Sequence, residues 1–476
     1  MIDTLSRPDA PPGVINQVLS PRLVFALDAV MHSGPDAARL AAIIGATPAR
    51  SAAAAFGRVT LAPLIIGFCG WLRQRAQDDG IRELHFLSRE GRVFKDVFDI
   101  LYPPGSTEIT TRYLFASRRL VQLAEINAPR DVADLAEGAV CDSTVAQWLD
   151  TRFGLDQACL DPAMLRRHGF RAGTDPVMGS GAHGRISALA FDMAPMIIAR
   201  AQKNRATLLR YLDACGLRAG PVGLVDIGYS GTVQRSYARL TDQAHRGYYL
   251  ATSPRADPVR MHGYLGAQVP LHSRHHGICH NRHVYETLLC APEDSVGGLI
   301  KTATGWAPTP APLADCPSRR EFVREAHGAV CALARDFARP GTHHRTGIRI
   351  APDIAARLLD CCLNHPSRNQ AALLADLCFD DLRAGGARIP LIGNATTPPI
   401  WREGARALGR DTRAARPWAG DTGIWTRFAG TLVSPLIRRL GSARDLDQFR
   451  ASPRRYVSAL SNPGFRRLGQ IIFRAD

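Results

Sequence analysis

Two segments of this chain carry the same order of signals, and that order leaves few folds open. Each is a short apolar run, then a polar or Gly-rich turn, then a helical pattern. In IRELHFLSREGRVFKDVFDILYP the spacing predicts a strand over Leu84–Leu87, a turn over Ser88–Gly91 and a helix over Val93–Leu101. In GPVGLVDIGYSGTVQRSYARL it predicts a strand over Val222–Val225, a Gly-rich turn and a helix from Thr232. RYLFASRRL reads as a second short strand with a basic end, and RGYYLAT as a further strand.

Strands that alternate with helices predict an α/β architecture: a Rossmann-like, mostly parallel sheet with helices on both faces. Ligands of such sheets sit at the carboxyl ends of the strands. Three motifs fall there, Ser88–Gly91, Ser117–Arg119 and Asp226–Thr232. The flanks read differently. Residues 1–75 look helical after a Pro-rich start, with a buried helix over Leu61–Arg73 that Gly67 and Gly70 weaken. Residues 125–195 suggest short helices and Gly-rich turns, and Pro195 opens a helix running to Leu212. From about residue 300 the pattern is helical and loop-rich. SRREFVREAHGAVCALARDF is an amphipathic helix with a Ser cap, and TTPPIWREGARAL is another helix start. Three parts are expected: 1–75 helical, 76–300 the α/β core, and 301–476 helical with a basic tail.

Length and composition bound the class of protein. A chain of 476 residues that is 46% hydrophobic can bury a core. The longest apolar run, Leu61–Leu72, is expected to be too short to cross a bilayer. Asp3, Arg7 and the early prolines do not form a signal peptide, so a cytoplasmic protein is expected. The net charge is +16, and of the 59 basic residues only Lys95, Lys203 and Lys301 are lysines. That balance favours anionic partners, since arginine grips phosphate through a planar fork. Eleven scattered cysteines with no C-x-x-C pair fit a reducing compartment. From Trp425 to Asp476 ten arginines face only three acids, with aromatics interleaved. This tail suits peripheral contact with the inner membrane, or an ordinary helix pair.

The turn at Asp226 has a plain physical use. Gly228 and Gly231 allow a tight turn, and the backbone N–H groups of the turn and helix start can cradle a phosphate. Tyr229 lies within this turn, and Ser230 and Thr232 add hydroxyl donors. Asp226 can bond sugar hydroxyls or bind magnesium, which takes one or two carboxylates plus substrate oxygens. The turn at Ser88 offers Ser88, Arg89 and Gly91 to a second phosphate group, with Lys95 one turn inside the helix and Glu90 as a base or metal-side carboxylate. The same residues also suit a simple N-terminal cap. Arg112, Ser117, Arg118 and Arg119 suit a pyrophosphate or 5-phosphate clamp, or a solvated basic edge.

Taken in order, LHFLSREGRVFKDVFDIL, RYLFASRRL, GLVDIGYSGTVQ and VYETLLCAPEDSVGG resemble the phosphoribosyltransferase part of bacterial polysaccharide-assembly proteins, often described as predicted hydrolases of the HAD superfamily. The third segment is also similar to the PRPP-binding loop of phosphoribosyltransferases, although that loop has two adjacent acids and here Val225 precedes Asp226. The resemblance covers roughly residues 55–335 and extends more weakly to about 405. It implies transfer of a 5-phosphoribosyl group from PRPP to a hydroxyl of a glycan acceptor, free or lipid-linked, with release of pyrophosphate. It places Ser88, Arg89, Glu90 and Gly91 in the first motif and Ser117, Arg118 and Arg119 in the second. Asp226, Gly228, Ser230, Gly231, Thr232 and Gln234 fall in the third, and Glu286 in the fourth. Relatives have Asp at the place of Glu90 and Trp at that of Tyr229. Many relatives carry a HAD phosphatase; here VFALDAVMH lacks the second acid and the Thr of that motif, so a separate phosphatase is expected.

The expected catalytic pair is Glu90 and Asp226, with magnesium on Asp226. Two other readings stay open at this point: a HAD-type phosphate-ester hydrolase, and a non-catalytic basic adaptor in polysaccharide assembly. No nucleic-acid-binding module is present to support a nucleic-acid partner. His272, His275, His276, Cys279, His280 and His283 crowd one segment. They suit either zinc or the wall of a phosphate cleft.

Overall fold

A computed structural model describes residues 18–46, 49–136, 143–177, 181–266, 280–311, 316–339, 347–381, 387–393 and 399–410. The basic tail and His272, His275, His276 and Cys279 lie outside the described residues. The core is a five-stranded, all-parallel sheet: β1 (Glu83–Leu87), β2 (Thr110–Leu114), β3 (Gly223–Asp226), β4 (Arg246–Tyr249) and β5 (Met261–Gly263). The order across the sheet is β2-β1-β3-β4-β5. The fold is therefore α/β with a Rossmann-like parallel sheet, as the alternating pattern predicts.

Alternation along the strands decides what each face buries. Leu84 and Phe86 enter one core and Leu87 the other; on β3, Val225 joins the first and Leu224 the second. The helices Ala62–Asp78, Gly91–Leu101 and Pro317–Ala338 pack together on the first side. Arg118–Glu125, Ala194–Ala214 and Thr232–Thr241 pack together on the second. Right-handed crossovers in opposite directions from β1 and β3 send their following helices to opposite faces. The point where the strand order reverses thus lies between β1 and β3.

The three segments drawn from the sequence share a core. One apolar cluster runs from Val18 through the sheet to Trp401 and Ala405. A separate cluster holds the helical insertion between β2 and β3, around Trp148, Phe153, Leu165 and Ile186. Leu61–Leu72 belongs to a longer helical stretch, Ala52–Asp78, with one π-helical turn at Gly57–Leu61. That stretch is long and apolar enough to cross a membrane, which corrects the expectation from the run alone, but 89% of its apolar window is buried inside the protein. Its glycines serve close packing: a Cβ on Gly57 would lie 2.2 Å from the Ala326 carbonyl oxygen, and one on Gly70 2.5 Å from that of Ile348.

Several boundaries follow the sequence. The helix Ala194–Ala214 carries Pro195 in its first turn, where proline suits it. The helix Pro317–Ala338 has Cys316 at its N-cap position, with no side-chain cap hydrogen bond, where the sequence suggests a serine cap. Ser318 lies inside it and donates to the Asp376 carbonyl at 2.9 Å. Two antiparallel hairpins are unannounced by the helical reading of the C-terminal part: β6 (Val296–Thr302) with β7 (Gly305–Pro310), and β8 (Cys378–Asp381) with β9 (Ala387–Pro390).

Candidate functional site

β1 and β3 are adjacent and in register, Phe86 opposite Val225. Parallel neighbours lie about 4.8 Å apart, so the turns that follow them open side by side. Glu90 and Asp226 therefore lie at neighbouring strand ends, close enough for the Glu90 charge to act on Asp226, at the switch point where open α/β sheets form the crevice that binds ligands. The helix Arg282–Leu289 brings Glu286 to the same place.

The electrostatics tie the three carboxylates together. Burial is the main cause that pushes Asp226 up to about 8, and the Glu90 charge adds to it. The Ile227 N–H, which donates to Asp226 Oδ1 at 2.7 Å, and Arg118 pull the other way, while Glu286 raises it further. Burial also lifts Glu286 to about 7, with Glu90 again adding; Arg118, Arg282 and a hydrogen bond from Tyr229 oppose it. The Tyr285 hydroxyl donates in turn to the Tyr229 hydroxyl, so a chain Tyr285–Tyr229–Glu286 fixes that carboxylate. Two like charges sharing a partly desolvated site raise one another's affinity for protons or cations.

The turns are built by contacts the sequence does not announce. Ser88 Oγ donates to the Ala116 carbonyl and accepts from the Ala116 N–H, both at 2.8 Å. A hydroxyl has one proton to give, so Ser88 ties the two strand ends together and has no donor left for a phosphate. Gly91 is needed for packing: a Cβ there would lie 2.8 Å from the Phe86 carbonyl carbon. Gly231 sits at φ +65°, in the left-handed region, and a Cβ on it would meet Met261 at 2.6 Å. Gly228, at φ +148°, lies against the Ala251 carbonyl. Among the described residues no side chain caps the helix Thr232–Thr241 or the helix Gly91–Leu101. The Arg92 N–H donates to the Arg89 carbonyl at 3.2 Å, while the first amides of Thr232–Thr241 face no capping side chain and suit an anion. Thr232 is the first residue of its helix, and Ser230 Oγ pairs with Ser253 Oγ at 2.6 Å.

Several other expected residues point elsewhere. Arg89 Nη1 pairs with Asp380 Oδ2 at 3.0 Å, and its backbone N–H donates to Glu90 Oε2 at 3.1 Å. Lys95 Nζ pairs with Asp99 Oδ2 at 2.6 Å, one turn farther from the crevice. Arg112, in the middle of β2, reaches back to Glu83 Oε1 at 2.6 Å. Ser117 caps its helix by accepting from the Leu120 N–H at 3.0 Å. Arg119 pairs with Asp150 of the helical insertion at 2.9 Å. Gln234 is buried and bonded to the His245 and Arg260 carbonyls and the Tyr249 hydroxyl, which makes it a structural residue. Of the expected arginines, exposed Arg118 is the one whose charge acts on Asp226 and Glu286.

Sequence reading missed four residues here: Tyr285, Arg282, Tyr113 and Glu293. Tyr113 donates to Glu293 Oε1 at 2.9 Å, and Arg92 lies 3.8 Å over the Tyr113 ring. The second basic residue to look for was Arg282, four residues before Glu286 on one helix face.

Magnesium fits this donor set. Asp226 and Glu90 would supply one or two carboxylates, and the rest of the shell would come from water and substrate oxygens. Among the described residues no group of three His, Cys, Asp or Glu side chains could hold a metal unaided. Of the His-rich segment, described His280 lies 3.7 Å from Glu403 and His283 4.0 Å from Glu286. No family model matches the chain, and no curated protein matches it.

Proposed function

We propose that the chain transfers a 5-phosphoribosyl group from PRPP to a glycan hydroxyl, releasing pyrophosphate. The observation that carries this reading is that Glu90 and Glu286 act electrostatically on Asp226, which ends β3 at the switch point of the sheet just before a helix with no side-chain cap. A donor with a phosphate at each end of a sugar suits two helix starts that can bind anions, with carboxylates nearby that can hold a cation. Magnesium, held by Asp226 and Glu90, would neutralise charge that develops on the leaving pyrophosphate.

The chain's own groups supply the rest. Arg118 adds positive charge on the open side of the crevice. Glu286, raised to about 7 by burial and held by Tyr229, suits a general base at neutral pH. It takes the proton of the acceptor hydroxyl as the ribosyl carbon is attacked. This assignment moves the base from Glu90 or Asp226, the residues favoured by the sequence, to Glu286. Arg89 and Asp380 hold the backbone of the Glu90 turn rather than the substrate.

Incubation with PRPP, magnesium and a panel of glycans tests the proposal through product mass. A gain of one phosphorylated pentose per acceptor supports it. Inorganic phosphate without such a product favours hydrolysis, and no turnover of PRPP with any acceptor counts against the reading.

A further inference from the structure

The helix Pro317–Ala338 opens at Cys316, and its first turn is laced to β8. Ser318 Oγ donates to the Asp376 carbonyl at 2.9 Å, and Arg319 Nη2 lies 3.4 Å from Asp380 Oδ2. Between these ties the Cys316 thiol is hydrogen-bonded to the Cys378 thiol and lies 3.5 Å from Ser318 Oγ. Cys316 is buried, whereas Cys378, the first residue of β8, is half-buried. The two sulfurs come from segments 62 positions apart in sequence, held together by contacts that do not depend on them.

We propose that Cys316 and Cys378 are a reversible redox pair, a modification site that closes to a disulfide on exposure to hydrogen peroxide. The environment supplies the reactive form. The hydrogen bond from Cys378 is the main cause that holds the Cys316 thiol below the ordinary thiol range, with Ser318 contributing. The N-terminus of a long helix favours a thiolate in the same direction. The Cys316 thiolate attacks one peroxide oxygen, the O–O bond breaks, and hydroxide leaves, giving a sulfenic acid. The Cys378 sulfur then attacks the sulfenic sulfur; the S–O bond breaks and the departing oxygen takes the Cys378 proton as water. Two thiols are oxidised by two electrons, and one peroxide is reduced to two waters. Closure needs the sulfurs to approach to about 2.05 Å.

The staple would join β8 to the helix two residues from Asp380, the partner of Arg89. The inference does not depend on the transferase reading, because its readout is covalent.

The test is peptide mapping of the full chain after treatment with hydrogen peroxide and alkylation of the remaining thiols. The expected product is a cross-linked pair of peptides containing Cys316 and Cys378, lighter by two hydrogens and restored by dithiothreitol. Cys316→Ser and Cys378→Ser lose that product, and Cys361→Ser keeps it. Recovery of Cys316 and Cys378 as separately alkylated peptides from the wild-type chain overturns the proposal. So does a disulfide that joins either of them to Cys290 or another cysteine instead.

Discussion

Replacing Asp226 by Asn isolates the electrostatic claim about the crevice. In the folded chain this carboxyl titrates at about 8 against an ordinary value of 3.8. The folded protein therefore binds that proton more tightly than the unfolded chain does. Stability then falls as pH rises from about 4 toward 8, because the ionised form is the one the fold disfavours. The rise from 3.8 to about 8 corresponds to roughly 6 kcal/mol, as a ceiling. Part of that is shared with Glu286 and Glu90, so an observed swing of about 2–4 kcal/mol is expected. Asn keeps the shape of the protonated acid and an oxygen for the Ile227 N–H, and it cannot ionise. Urea unfolding midpoints of wild type and Asp226→Asn, measured from pH 5 to pH 9 without divalent cation, give the comparison. The wild type should lose stability with rising pH, and the variant should lose markedly less. Magnesium should flatten the wild-type slope and leave that of the variant nearly unchanged. Parallel slopes for the two proteins without cation would refute the reasoning, since they would mean that Asp226 ionises as readily folded as unfolded.

Other outcomes follow from single contacts. Gly91→Ala places a Cβ 2.8 Å from the Phe86 carbonyl carbon and should cost about 1–3 kcal/mol in urea unfolding. Gln234→Leu removes the side-chain partners of the buried His245 carbonyl and the buried Tyr249 hydroxyl, so a loss of roughly 2–5 kcal/mol is expected in the same assay. Lys95→Met removes a half-exposed pair with Asp99 and should change stability by less than about 1 kcal/mol. It should leave PRPP turnover unchanged, and a large loss of turnover would place Lys95 in the crevice after all.

The sheet was legible because each of its long signals is local. Apolar runs ending in Ser-Arg-Glu-Gly and Asp-Ile-Gly-Tyr mark β1 and β3, and Pro195 marks a helix start. The adjacency of β1 and β3 is not written in either segment; it follows from crossovers that run in opposite directions. The fate of the basic residues was the least legible part. Arg89, Arg112, Arg119 and Lys95 all look like phosphate ligands in a list of residues, yet each has an acid within hydrogen-bond distance, contributed by a distant segment or by the next turn. Only the fold shows which arginine faces the carboxylates. The hairpin β8–β9 escaped for a related reason. Its strands are four residues long, and the partner that orders Asp380 is an arginine some 290 positions away.

In the proposed chemistry Asp226 helps to hold a cation against a departing pyrophosphate. The rate of pyrophosphate release from magnesium–PRPP, in the presence of an accepted glycan, probes that claim at its centre. Asp226→Asn should reduce it by about 100-fold or more while the folded fraction is retained. Release at the wild-type rate from the folded variant would contradict the account.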